Sequence, residues 1–268
     1  MAWAIKYRWR GKDHTGNRQA KIEILEDNWA GGITELNGTG EPVKFKTQNR
    51  GRDLLKPVYG AEITFAFYAT QSEAATYDAD FLEGTYRGKK IKYYSDGTNL
   101  THVSWVKAEN AGRPFHPPVT NYRLTGTDGL ADLKDIPFDS TTKYVDRANL
   151  LTVVDRCLKL IGIDDCNYFT QINTYEKTLM ASSGGETTED PCVEATFDCR
   201  RFYDTESGEE RAWKAYKVLA EVLKIFNAKI YQLNGYWNIV SDFEPNSYRW
   251  TYNYSTLAVI SGRTANDR

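Results

Sequence analysis

The chain has 268 residues, of which 41% are hydrophobic and 26% charged, with a formal net charge of −2. These values fit a soluble globular protein of one large or two modest domains and argue against a dedicated nucleic-acid binder, which would carry a basic excess. Aromatic residues reach 13%, with 18 Tyr among them, and Tyr and Trp suit strands and half-wet interfaces because one end is apolar and the other hydrogen-bonds.

Up to about Asn121 the pattern is one of strands and loops. Ala2–Arg10 reads as one strand, with Tyr7 and Trp9 on one face and Lys6, Arg8 and Arg10 on the other. Gln19–Leu25 alternates cleanly through Ala20, Ile22 and Ile24; Val43–Thr47 alternates again; Glu62–Tyr68 places Ile63, Phe65 and Phe67 on one side. Gly84–Tyr94 reads as a hairpin or bent strand and Leu100–Val106 as a strand, with Ser95-Asp96-Gly97 as a turn between them. Short strands bounded by Gly, Asn, Asp and Pro predict an antiparallel sandwich or barrel.

Gly112–Pro118 is a Pro-rich crossing that suits neither helix nor central strand. Tyr122–Thr127 is a strand, and Asp128 is placed to cap a short helical turn through Leu130 and Leu133. Arg147–Ile161 predicts a helix with an apolar stripe of Leu150, Leu151, Val154, Leu158 and Ile161, ended by Gly162. Asn167–Pro191 reads as a long exposed loop, and its Ser182, Ser183, Gly184, Gly185 and Glu186 form a candidate partner-binding loop. Glu210–Phe226 predicts a second helix, and Asn234-Gly235 between Ala228–Leu233 and Tyr236–Ser241 is a strong hairpin signal. Tyr248–Tyr254 alternates, and the final SGRTANDR carries no element. That ending is expected of the N-terminal portion of a longer protein or of a flexible tail.

The fold class expected is α+β: a β-rich barrel or sandwich-type domain, then an α+β domain with two long helices and a β-hairpin. The boundaries expected are a β-rich domain over 1–121, an α+β domain over 122–227, and a closing hairpin and strand over 228–268 that can return to the first domain.

No catalytic, cofactor or metal motif stands out. Cys157, Cys166, Cys192 and Cys199 have no CxxC spacing, and His14, His102 and His116 all lie upstream of them, which argues against zinc. Free thiols are expected, with a Cys192–Cys199 disulfide left open. There is no P-loop, no dinucleotide-binding glycine motif and no nucleophile elbow. Asp164-Asp165 reads as a solvated loop rather than an acid–base pair. Tyr93-Tyr94 and the aromatic run 248–254 pair across strands more readily than they stack sugars, although a carbohydrate-binding module is the second reading. No secretory signal or membrane span is visible, so the chain is expected to be made in the host cytoplasm.

Three segments in order carry a resemblance: YRLTGTDGLADLKDIPF over Tyr122–Phe138, LLTVVDRCLKLIGI over Leu150–Ile163, and KVLAEVLKIFNAKIYQLNGYWNIV over Lys217–Val240. A strand ending in Asp128-Gly129-Leu130, a leucine-rich helix, and a second helix leading to a hairpin with Trp237 resemble the baseplate hub and tail-associated proteins of phage-like tails. Ser104–Pro118 is similar too, and the resemblance covers roughly Glu62 to Val240. It implies a structural protein of the virion tail, not an enzyme, without cofactor: a homotrimer whose β-domains form a pseudo-sixfold ring. The partners implied are tail tube or distal tail ring proteins above and spike, fibre or tail-tip proteins below, with DNA passing through the lumen without specific binding. A hexameric distal tail ring protein is the nearest alternative, since sequence separates ring from hub poorly.

Overall fold

The computed structural model describes residues 2–12, 19–47, 56–85, 87–112, 115–116, 119–172, 190–206, 209–241 and 249–264. It is strand-rich. The chain divides into two compact units, one drawn from residues 1–48, 60–129 and 233–235 and the other from 49–59, 130–232 and 236–268.

The first unit is built on β1 (Trp3–Lys12), β2 (Gln19–Asp27), β3 (Thr34–Glu35), β4 (Asn37–Thr47), β5 (Ala61–Thr70), helix α1 (Gln71–Phe81), β6 (Lys89–Tyr94), β7 (Leu100–Gly112), β8 (Phe115–His116) and β9 (Val119–Thr127). Among the described residues they form a nine-stranded sheet in the order β3-β1-β2-β6-β7-β9-β5-β4, with β8 on β9. The two ends of this order are consecutive in the chain, since only Leu36 separates β3 from β4. Leu36 donates its N–H to the Arg8 carbonyl at 2.7 Å. The sheet must therefore curl until its edges approach each other there. The alternation predicted for Ile63, Phe65 and Phe67 holds: all three are buried on the inner face with Tyr7, Trp9, Ile22, Ile24, Ile91, Tyr122 and Leu124.

Residues 122–129, grouped with the second domain in the sequence reading, supply most of β9 and the turn after it. Helix α1 was not foreseen. The Glu73 carboxylate accepts from both the N–H and the hydroxyl of Thr70 at its start, as in a capping box. The helix buries Ala74, Tyr77 and Phe81, and Tyr122 on β9 ties it down by donating to the Ala74 carbonyl and to Asp78.

The second unit contains β10 (Arg147–Asn149), helix α2 (Leu150–Lys159), β11 (Asn167–Gln171), the short helix α3 (Pro191–Glu194), β12 (Thr196–Asp198), β13 (Tyr203–Glu206), β14 (Glu209–Ala212), helix α4 (Ala215–Ile225), β15 (Ala228–Leu233), β16 (Tyr236–Ser241), β17 (Arg249–Tyr252) and β18 (Val259–Thr264). Five strands form one sheet in the order β15-β16-β11-β17-β18. The strands after Ala228 thus pair with β11 and with each other, outside the nine-stranded sheet. Asn234 and Gly235 both take positive φ, 53° and 74°, the two-residue turn that the Asn-Gly signal demands.

Both long helices start later than their patterns suggested. Arg147–Asn149 pairs with β12, and Asn149 then caps α2 by accepting from the Thr152 N–H at 2.8 Å. Glu209–Ala212 pairs with β13, so α4 begins only at Ala215. Tertiary pairing overrides local helix propensity at both places. The segment read as a loop from Asn167 opens with β11, and the run read as elementless near the end supplies β18.

Candidate functional site

Asp128, Gly129, Leu130 and Trp237 are the positions that the sequence singled out, and Asp128, Leu130 and Trp237 are buried. Asp128 is tied to the start of β5. Its carboxylate accepts from the Ala61 N–H at 2.7 Å while its own N–H donates to the Ala61 carbonyl at 3.2 Å. The following helical turn, Asp132–Lys134, is a 3-10 turn entered from Ala131 without a side-chain cap. Asp128 therefore satisfies the backbone where β5 begins, a buried donor that is expensive to leave unpaired. Gly129 takes φ +78°, which a side chain resists. Trp237 sits on β16 beside Tyr168 of β11 in a parallel register. Ser182, Ser183, Gly184, Gly185 and Glu186 lie outside the described residues.

Two carboxylates of the second unit, Asp155 and Asp190, are buried. Asp155 of α2 accepts from the Tyr168 hydroxyl at 2.9 Å and from Lys159 at 2.7 Å. Asp190 accepts from the hydroxyls of Thr170 and Tyr252 and from the Cys192 N–H, the last at 3.0 Å. Burial pushes the Asp190 carboxyl upward, against the opposing pull of these donors. With 3% of its surface exposed, it is a fastening for the sheet rather than a group that meets a substrate. Asp146 and Arg156 pair at the surface at 2.6 Å.

The first unit carries a dense polar cluster around Asp80 and Glu26. The Tyr7 hydroxyl donates to Asp80. Lys6 Nζ lies 2.7 Å from Asp80 and 2.8 Å from Glu26, and Lys89 Nζ lies 3.1 Å from Glu26. The register of β1 shifts between Ile5 and Tyr7, a bulge that re-aims Lys6 into this cluster. Glu26, Asp80 and Lys89 also line a cavity of about 220 Å³ with Thr85. Two ammonium groups balance two carboxylates, so the cluster is a closed charge network.

The aromatic residues read as possible sugar platforms are largely engaged. Tyr252 and Tyr254 are buried. Tyr94 donates to Glu23 at 3.0 Å and carries the Lys21 ammonium over its ring at 3.8 Å. Tyr248 lies outside the described residues. His102 is buried inside the curled sheet, and the four cysteines are buried and free. Among the described residues no cluster of His, Cys, Asp and Glu is arranged to hold a metal ion. No helix among them is long and apolar enough to cross a membrane.

Exposed large apolar residues occur on helix α4 at Ile225, in loops at Ile33 and Val145, and on strands. Val259 and Ile260 are exposed on β18, the last strand of the smaller sheet, and Tyr68 and Val119 are exposed on adjacent strands of the larger one. Sequence reasoning singled out none of these four strand residues as exposed, because strand alternation shows which residues share a face but not which face meets solvent.

No family model and no curated protein matches the chain. Among solved structures it is similar to the 43 kDa tail protein of prophage MuSo2 from Shewanella oneidensis, with 16% identity and a TM-score of 0.39 over 78% of this chain and 58% of that one. It is also similar to a tail protein from Neisseria meningitidis MC58, with 8% identity and a TM-score of 0.44 over 84% of this chain and 52% of that one. The chain spans little more than half the length of either protein.

Proposed function

We propose that the chain is a structural component of a phage-type tail, a hub at the lower end of the tail tube that acts through shape and interfaces rather than chemistry. The observation that supports this reading is the disposition of the hub-like segments. The strand ending in Asp128-Gly129-Leu130, the leucine-rich α2, and α4 leading into the hairpin of Trp237 follow one another as folded elements. Asp128, Leu130 and Trp237 are sealed in the interior. Such positions maintain a scaffold.

In this role three copies would present their curled sheets as a pseudo-sixfold ring, matching a hexameric tube above to a threefold spike or fibre below. A closed ring of this kind uses heterologous contacts, one patch of each copy meeting a different patch of the next. Tail tube or distal ring proteins and tail-tip proteins are the partners of this reading, and DNA would pass the lumen without being bound.

Light scattering coupled to size exclusion tests the proposal. A trimer supports the hub. A hexamer moves the assignment to the distal tail ring. A monomer that remains single when mixed with tube protein removes the ring reading and brings forward carbohydrate binding, tested by a glycan screen.

A further inference from the structure

His102 sits where an imidazole is least easily charged. It lies on the inner face of β7 opposite Tyr93 and is fully buried. Neither ring nitrogen has a hydrogen-bond partner among the described residues, and the same holds for the hydroxyl of Ser104, two residues along on the same face. The ring of Phe45 meets His102 edge-on, with centroids 4.9 Å apart.

The rows of inward side chains around it can be followed across the sheet. They are Trp9–Ile22–Tyr93–His102, Tyr7–Ile24–Ile91–Ser104 and Phe45–Ile63–Gly126–Val106. These rows contain the phenols of Tyr7 and Tyr93, and no carboxylate or ammonium. Burial alone pushes the imidazole down, to about 3.

Phe45 belongs to β4, a terminal strand of the sheet. β4 ends the strand order, its pairing with β5 breaks register between Gly38 and Val43, and none of its residues is fully buried. Local opening concentrates in such segments.

We propose that β4 is an acid-released strap: it seals the uncharged His102 inside the first unit near neutral pH, and proton uptake by His102 holds the strap open as the pH falls. The linkage is direct. The closed form keeps the imidazole neutral, whereas the open form binds a proton at the ordinary imidazole value near 6.5. Opening therefore gains about tenfold per pH unit below that value until the closed form titrates too.

Hydrogen exchange of the full chain, read by mass spectrometry and corrected for intrinsic exchange at each pH, tests this. Relative to pH 7.5, opening of Asn37–Thr47 is expected to rise about tenfold at pH 5.5 and about a hundredfold at pH 4.5. The β6 segment Lys89–Tyr94 should stay unchanged, and the rise should vanish in His102→Gln. A flat response in β4, an equal response in His102→Gln, or β6 opening in step with β4 each overturns the strap. Phe45→Ala, which keeps the histidine, provides an independent check by NMR. Its His102 ring should titrate within about one unit of 6.5, and a ring that still resists protonation at pH 4 overturns the role given to β4.

Discussion

Tyr168 and Tyr252 are cross-strand partners on β11 and β17, and their hydroxyls donate to two different buried aspartates, Asp155 at 2.9 Å and Asp190 at 2.7 Å. Asp155 belongs to α2 and Asp190 caps α3 by accepting from the Cys192 N–H. One facing pair of phenols thus fastens two helical segments to one face of the smaller sheet.

Removing either hydroxyl should loosen this fastening. Hydrogen bonds to charged groups contribute about 1.5–3 kcal/mol each. Tyr168→Phe is expected at the upper part of that range, because Asp155 then keeps only Lys159 among the donors described above. Tyr252→Phe should cost less, since Thr170 and the Cys192 N–H remain on Asp190. Urea midpoints of the two variants measure the order, and a larger loss for Tyr252→Phe would contradict it.

Asp190 also sets a pH dependence. Its folded carboxyl is raised by burial, so the folded state holds the proton to higher pH than the unfolded chain does. The proton-linked stabilisation is complete below the unfolded value near 3.9 and is lost as pH rises through the raised folded value. Asp190→Asn, which keeps an acceptor without the charge, should be flatter than wild type across that window. Denaturation midpoints from pH 3 to 7 compare them; parallel curves would show that Asp190 is not the group responsible.

Trp9 depends on two glycines. A Cβ at Gly11 would lie 2.2 Å from the indole Cζ2, and one at Gly38 would lie 2.3 Å from Nε1. Gly11→Ala and Gly38→Ala should each destabilise the first unit by about 1–3 kcal/mol, the usual range for overpacking. In a Trp9→Leu background the same changes should cost much less. A double-mutant cycle with no coupling would refute the contact.

Asp128 offers a sharper contrast. Asp128→Ala leaves the Ala61 N–H unpaired in the interior and should cost about 1–3 kcal/mol. Asp128→Asn keeps an acceptor and should recover most of that loss. Equal losses for the two variants, by chemical denaturation, would rule out the bond to Ala61 as the reason for the residue.

The parts of the fold that were legible in the sequence are those written locally. The alternation of Ile63, Phe65 and Phe67 gave β5, and Asn234-Gly235 gave the β15–β16 hairpin together with the placement of Trp237. What escaped was written at a distance. Glu210 and Arg211 look helical alone, but their register with Asp204 and Thr205 makes them strand. Helix α1 has Thr70 and Glu73 as its start signal, yet its long exposed side blurs any apolar stripe. Asp128 was visible as a turn residue, but its partner Ala61 lies 67 positions upstream. The orphaned His102 belongs to the same class, since nothing beside it in the chain marks it as sealed.

The central claim is threefold assembly, and class averages of the purified chain viewed down its symmetry axis by electron microscopy test it most directly. Particles with three-fold symmetry and a mass of about 92 kDa, three times the 30.6 kDa chain, are the predicted result. Six-fold rings, or single copies that stay apart even with tube protein present, would contradict it.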